Sequence, residues 1–346
     1  MYINFVTEEN KNIYVSYWLL LITFFVVLMI VVGGLTRLTD SGLSITRWNL
    51  VSGILPPLSI KDWEKFFSLY KQIPEYKLLN STMTIEEFKI IYWWEYAHRL
   101  LGRLVGLLYL IPLLFFTFKN YIKKERLLTY YLILLLICFQ GFVGWYMVKS
   151  GLSERTDVSH YKLSLHLTIA FIIYVLLIWN YFKLSNVKNF KNKYRLPLRL
   201  PIIFTFLILL QISIGAFVSG LDAGNIYQTW PLMNSNYFPD DRNIVSLFSL
   251  QLFETPSLVQ FIHRNLAYII FFIFLFIIFL VFTNKNLFYL KKAILFIFIA
   301  LFVQIFLGIL TILSGAQILL ASAHQIGSIF LITASIILLF KNSKIS

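Results

Sequence analysis

The sequence predicts an all-α polytopic membrane protein, with eight transmembrane helices arranged as two repeated four-helix bundles. Three observations carry that prediction. The chain of 346 residues is 59% hydrophobic and only 13% charged, with a mean hydropathy of +0.76, whereas a soluble domain carries about 25% charge. Eight apolar segments, near 15–36, 97–118, 128–149, 163–182, 199–219, 259–283, 290–312 and 320–340, approach the length that crosses a bilayer. Marks in the first four segments then recur, in the same order, in the last four.

Each segment reads as a helix because backbone groups in hydrocarbon must bond to one another. A barrel strand would alternate, and L-L-I-T-F-F-V-V-L-M-I-V-V does not. The first span follows an N-terminus without a basic n-region and is too long for a signal peptide, so it reads as a retained anchor. The loop 37–94 contains W-N-L-V-S-G-I-L-P-P-L and then D-W-E-K-F-F-S-L-Y, whose later part predicts short amphipathic helices on the membrane surface. A second long loop spans 220–258.

Charge sets the orientation. The connections 119–126, 183–199 and 285–292, with both termini, hold 16 of the 30 Lys and Arg but three of the 16 acids. Basic connections stay inside, so both termini read as cytoplasmic and the long loops as outward. The net charge of +14 therefore serves membrane lipid and topology, not nucleic acid. The single cysteine, Cys138, excludes a disulfide within the chain and a four-cysteine metal site.

The repeat aligns G-G-L-T-R-L-T-D-S-G-L with V-S-G-L-D-A-G-N, and E-Y-A-H-R-L-L-G-R with Q-F-I-H-R-N-L-A-Y. It also aligns Q-G-F-V-G (140–144) with Q-I-F-L-G (304–308), and His166 with His324. An even number of spans separates the copies, so the repeats read as parallel, with residues 1–182 as one half and 183–346 as the other. Spans two, four, six and eight enter from the same side, which places His98, His166, His263 and His324 near one face. Two neutral imidazoles per half can then converge from different helices, the arrangement for axial ligation of heme in a bundle. Zinc is the weaker reading, since neither cluster has cysteine or an H-E-x-x-H motif. Arg99, Arg103 and Arg264 are placed to meet propionates at a porphyrin edge. His160, in V-S-H-Y, has no counterpart and reads as a surface residue.

Glu95 breaks the symmetry, because its partner is Gln260, also three residues before a histidine. One helical turn puts Glu95 on the face of His98, where a carboxylate can act as base and an amide cannot. Pairing with Arg99, four residues on, is the structural alternative. Asp40 and Asp222 form another matched pair, read as loop or helix caps.

On these residues the chain resembles the heme A synthase family over nearly its whole length. The resemblance rests on eight spans in two halves, E-Y-x-H-R, the later H-R, and a histidine opening the fourth and eighth spans. It implies oxidation of the C8 methyl of heme O to a formyl group, giving heme A for cytochrome oxidase. It further implies a resident heme b ligated by His263 and His324, with His98 and His166 serving the substrate heme and Glu95 a catalytic carboxylate. Some members carry a cysteine pair in the first outward loop. This chain lacks it and resembles the cysteine-free branch of proteobacteria and mitochondria. The bacterial inner membrane, heme O synthase upstream, an unspecified electron acceptor or donor, and assembly into a homo-oligomer are further expectations. Two other functions use the same pattern: a di-heme b-type electron-transfer protein, which needs the histidines but not Glu95, and a repeat-containing transporter, which would place its ionisable groups near the midplane.

Overall fold

The computed structural model describes residues 7–48, 52–185, 194–249 and 251–343, and every apolar segment lies inside a long helical span. In chain order the helices are α1 (Glu8–Leu38), α2 (Ile60–Tyr70), α3 (Pro74–Leu78), α4 (Ile85–Phe118) and α5 (Lys124–Glu154). There follow α6 (His160–Leu184), α7 (Arg199–Gly220), α8 (Pro256–Thr283), α9 (Lys291–Leu313) and α10 (Ile318–Asn342). Among the described residues the only β feature is an isolated bridge between Met233 and Asn236. Much of the basic connection, residues 186–193, lies outside the described residues, as do residues 1–6 and 344–346.

The second span differs most from the expected bounds. It begins at Ile85 because Thr84 and Glu87 form a capping box, Thr84 Oγ1 accepting from Glu87 N while the Glu87 carboxylate accepts from Thr84 N. Glu86, Glu87 and Lys89 occupy this extra stretch, so apolar content alone places the start too late. The 34-residue helix is about 50 Å long, which exceeds the hydrocarbon thickness of roughly 30 Å. Its first turns therefore carry the loop that precedes them.

In the first half α1 packs against α4 and α6, and α5 against α6. In the second, α7 packs against α8 and α10, and α9 against α10. The halves meet where α6 faces α7 and α10, and where α1 faces α10. Polar side chains tie those faces. Gln325 Nε2 donates to Ile30 O at 2.8 Å, Ser164 Oγ to Ser213 O at 2.8 Å, and the Tyr174 and Thr333 hydroxyls lie 2.6 Å apart. Such bonds hold helices together where lipid offers little hydrophobic drive. Within the first half, the buried Trp18 indole donates to Leu108 O at 2.9 Å, so its apolar body packs without an unpaired N–H.

Described residues in and on either side of α2 and α3 build a second apolar core at the long-loop end. Leu43, Ile45, Phe67, Tyr70, Phe88 and Tyr92 pack there with Val158. The expected amphipathic helix is α2, capped by Ser59, and it buries Phe67 and Tyr70 in this core.

Glu75, on α3, is 4% exposed. Its Oε1 accepts from the Tyr70 hydroxyl at 3.1 Å, and its Oε2 is buried without a hydrogen-bond partner. Burial pushes its pKa from 4.5 up to about 8, with Glu95, Asp157 and Asp40 adding to the rise. Between about pH 4.5 and 8 this second core, a cap over the long-loop end, therefore holds a proton that the unfolded chain releases. Cap stability accordingly falls as pH rises through that window and is flat above it. Amide exchange in α2 and α3, corrected for its intrinsic rate, should accelerate across the window, and Glu75→Gln should remove the dependence. An unchanged slope in the variant would assign the effect elsewhere.

Candidate functional site

The structure brings the four repeated histidines together as two pairs. His98 on α4 faces His166 on α6 with ring centres 6.4 Å apart and an interplanar angle of 64°. His263 on α8 faces His324 on α10 at the same 6.4 Å and 77°. Two imidazoles ligating one metal from opposite sides, each at about 2 Å, put their ring centres roughly 6 Å apart. Both pairs meet that spacing. The rings are half-buried. Nδ1 of His98, His166 and His263 is buried without a hydrogen-bond partner, while His324 Nδ1 lies 3.1 Å from Gln304 O. When that nitrogen carries the proton, Nε2 keeps its lone pair for a metal. Gln211 Nε2 lies 3.3 Å from His263 Nε2, a contact that ligation through this nitrogen would replace.

Each imidazole rests on a glycine of the neighbouring helix. A β-carbon at Gly33 would stand 2.8 Å from His98 Cε1, and one at Gly144 2.9 Å from His166 Cε1. At Gly215 and Gly308 the corresponding distances to His263 and His324 Cε1 are 3.2 and 2.9 Å. At Gly33, Gly144 and Gly308 a β-carbon would force the ring to shift, and at Gly215 it would fit only tightly. The donor set and these seats fit a flat, six-coordinate metal group such as heme. The sequence marks Gly144 and Gly308 as repeat positions without their purpose. Gly33 and Gly215 are legible only once the ring opposite each is known.

Glu95 is 2% exposed. Its Oε2 accepts from Ser44 Oγ and Ile45 N, both at 2.7 Å, and its Oε1 from Arg99 Nε at 2.9 Å and an Arg99 terminal nitrogen at 2.6 Å. Arg99 also donates to Ile45 O and Arg47 O, with Trp48 5.0 Å from its guanidinium carbon. The carboxylate thus takes four donors, two from the loop after α1 and two from Arg99, which itself donates to that loop. Gln260, 1% exposed, makes the matching set in the second half. It donates to Ala223 O and Tyr227 O and accepts from Arg264, which itself donates to Tyr227 O and Leu232 O. Both H-R arginines therefore hold a long loop, and Arg264 Nε is buried with no partner. Arg103 lies one turn beyond Arg99 on α4.

Asp40 and Asp222 follow the ends of α1 and α7 in left-handed conformation, with φ of 46° and 48°. An aspartate tolerates this backbone better than most residues. Both do more than end a helix, since they converge with Asp157 on Arg37 at 2.8, 3.0 and 3.1 Å. Arg37 also donates to Ser219 O at 2.8 Å, so one guanidinium ties the first half to the second.

His160 corrects the expectation of a surface residue. It opens α6, is 4% exposed, and packs against Phe217 and Tyr161 with Nε2 3.3 Å from Glu254 Oε2. Its burial comes from the second half, which V-S-H-Y could not reveal.

Eight spanning helices with two facing imidazole pairs, each ring seated on glycine, define a polytopic helical membrane protein built around paired histidines. The model of the family described as cytochrome oxidase assembly protein matches residues 16–336. Similar chains include a heme A synthase of Pelagibacter ubique (strain HTCC1062), 49% identical over 342 residues, or 98% of this chain and 100% of that one. Another, of Rickettsia bellii (strain RML369-C), is 46% identical and covers 94% of this chain and 97% of its own. A third, of Rickettsia prowazekii (strain Madrid E), is 42% identical, covering 95% and 98%. The chain belongs to this family, the one that holds the heme A synthases.

Proposed function

We propose that the chain is a heme A synthase, oxidising the C8 methyl of heme O to a formyl group and so supplying heme A to cytochrome oxidase. The observation that carries this reading is the pair of matched imidazole sites, combined with near full-length similarity to chains of that name. It is an oxidoreductase acting on a CH group, and its resident cofactor is heme b. His263 and His324 would ligate that heme, which when bound supplies electron transfer within the membrane. His98 and His166 would take the iron of heme O. Gly33 and Gly144 leave room for both rings against the neighbouring helices, so that the two imidazoles can face the substrate between them.

Glu95 is the proposed carboxylate for proton handling at the substrate edge. Ser44, Ile45 and Arg99 hold its carboxyl group in place. The counterpart Gln260 is neutral, so the second half has no such charge at this position. Arg99, Arg103 and Arg264 are the proposed propionate partners, with Arg264 Nε available for a further bond. Residues 1–182 would then be the substrate half and 183–346 the resident-heme half, related as parallel repeats. The basic connections favour a bacterial inner membrane orientation with cytoplasmic termini and histidine pairs near the outer face. Heme O synthase is the upstream partner this substrate calls for.

Protein purified from cells supplying heme O should carry b-type heme together with heme O or heme A. Heme-free protein that still converted heme O would overturn the reading. The seats give a graded check. Gly308→Ala pushes on His324 from 2.9 Å and Gly215→Ala on His263 from only 3.2 Å. The low-spin heme spectrum should therefore change more in the first variant. The reverse order would remove the glycines from the ligand geometry.

A further inference from the structure

Three of the four imidazole seats share a second feature. Four residues before the glycine, on the same helical face, stands a glutamine: Gln140 before Gly144, Gln211 before Gly215 and Gln304 before Gly308. Each carboxamide Nε2 donates across the hairpin to the backbone carbonyl of the seated histidine. The distances are 2.9 Å to His166, 2.9 Å to His263 and 2.8 Å to His324. A helical carbonyl has a second lone pair to give, so the bond costs the helix nothing. It fixes the height of the histidine against the neighbouring helix, while the glycine clears the ring. At Gln304 the grip is reciprocal, because its backbone carbonyl lies 3.1 Å from His324 Nδ1.

The fourth seat lacks the donor. Four residues before Gly33 stands Met29, whose methyl packs toward Gly102. Stability alone favours such a residue. Oε1 of Gln140, Gln211 and Gln304 is buried without a hydrogen-bond partner in every case, and an unpaired buried acceptor is destabilising. A glutamine kept at three seats despite that cost points to a need for the bond to the histidine carbonyl.

We propose that Gln140, Gln211 and Gln304 are positioning residues that lock their histidines, and that Met29 leaves His98 unlocked so that the N-terminal pair exchanges its ligand. The inference rests on the reading of both pairs as heme sites. An enzyme that takes in one heme and gives up another needs one pair that releases and one that does not. Two locks in the second half and one in the first meet that need.

The test is heme transfer from full-length protein in detergent to an excess of a heme-scavenging apoglobin, followed by absorbance, with low-spin electron paramagnetic resonance alongside. Met29→Gln should slow release from the N-terminal pair by about threefold or more, the worth of one interhelical hydrogen bond in lipid. Met29→Leu, which adds no donor, should leave the rate unchanged. Gln211→Met and Gln304→Met should speed loss of the retained heme and shift its low-spin signal. Equal release rates for Met29→Gln and Met29→Leu would overturn the proposal. This comparison stands even where a glutamine variant fails to fold, since neither change at position 29 removes an existing bond. Wild-type protein without bound heme would instead overturn the reading of the histidine pairs, a separate and distinguishable outcome.

Discussion

Glu95→Gln is expected to lower conversion of heme O by about a hundredfold or more, the usual scale of lost acid–base catalysis, while heme stays bound at His263 and His324. The structure sharpens this expectation. Glu95 accepts four hydrogen bonds, two from Arg99 and two from Ser44 and Ile45. A glutamine offers one acceptor oxygen and turns an NH₂ toward donors on the other side. Some folded yield should therefore be lost as well. Glu95→Ala should lose more, since breaking a buried ion pair costs roughly 3–5 kcal/mol. The decisive quantity is conversion per folded molecule. Retained specific activity with reduced yield would make Glu95 a clamp for Arg99 and the loop, and would remove it from the chemistry. Accumulation of heme O or a partly oxidised intermediate in normally folded protein would keep it there.

The second large effect divides the histidines. His263→Ala or His324→Ala should strip b-type heme from purified protein almost completely, because one imidazole from each helix closes the 6.4 Å pair. His98→Ala and His166→Ala should keep that heme and lose conversion. His160→Ala is the control. It removes a buried imidazole that reaches the exposed Glu254, and should lower yield without altering the spectrum of the folded fraction. Loss of the same heme from all four pair variants alike would contradict the division between halves.

What was legible in the sequence follows from the range of each interaction. The spans could be read because lipid demands a continuous apolar run, and the histidine pairs because the repeat marks them twice. The early start of α4 was also available, in T-I-E-E, but a capping box in polar surroundings is invisible to an apolar count. The contacts of Glu95 were half legible. Arg99 lies one turn away, whereas Ser44 and Ile45 are about fifty residues earlier and are brought in by the fold. The meeting of Asp40, Asp157 and Asp222 on Arg37 is of the same kind, as is the burial of His160 by residues of the other half. The third Q-x-x-x-G, Gln211 to Gly215, stood in plain view. Its meaning needed the carbonyl on the opposite helix.

In the proposed division of labour, the first pair holds a heme to be oxidised and the second a heme that stays. Expression of the full chain in cells that make heme O but have no other source of heme A tests it most directly, with pigments extracted and separated. Heme A should appear with the wild-type chain and heme O alone should accumulate with Glu95→Gln, while b-type heme copurifies in both. Heme O recovered unchanged from wild-type cells, with b-type heme bound at both pairs, would contradict it and leave a di-heme electron carrier in its place.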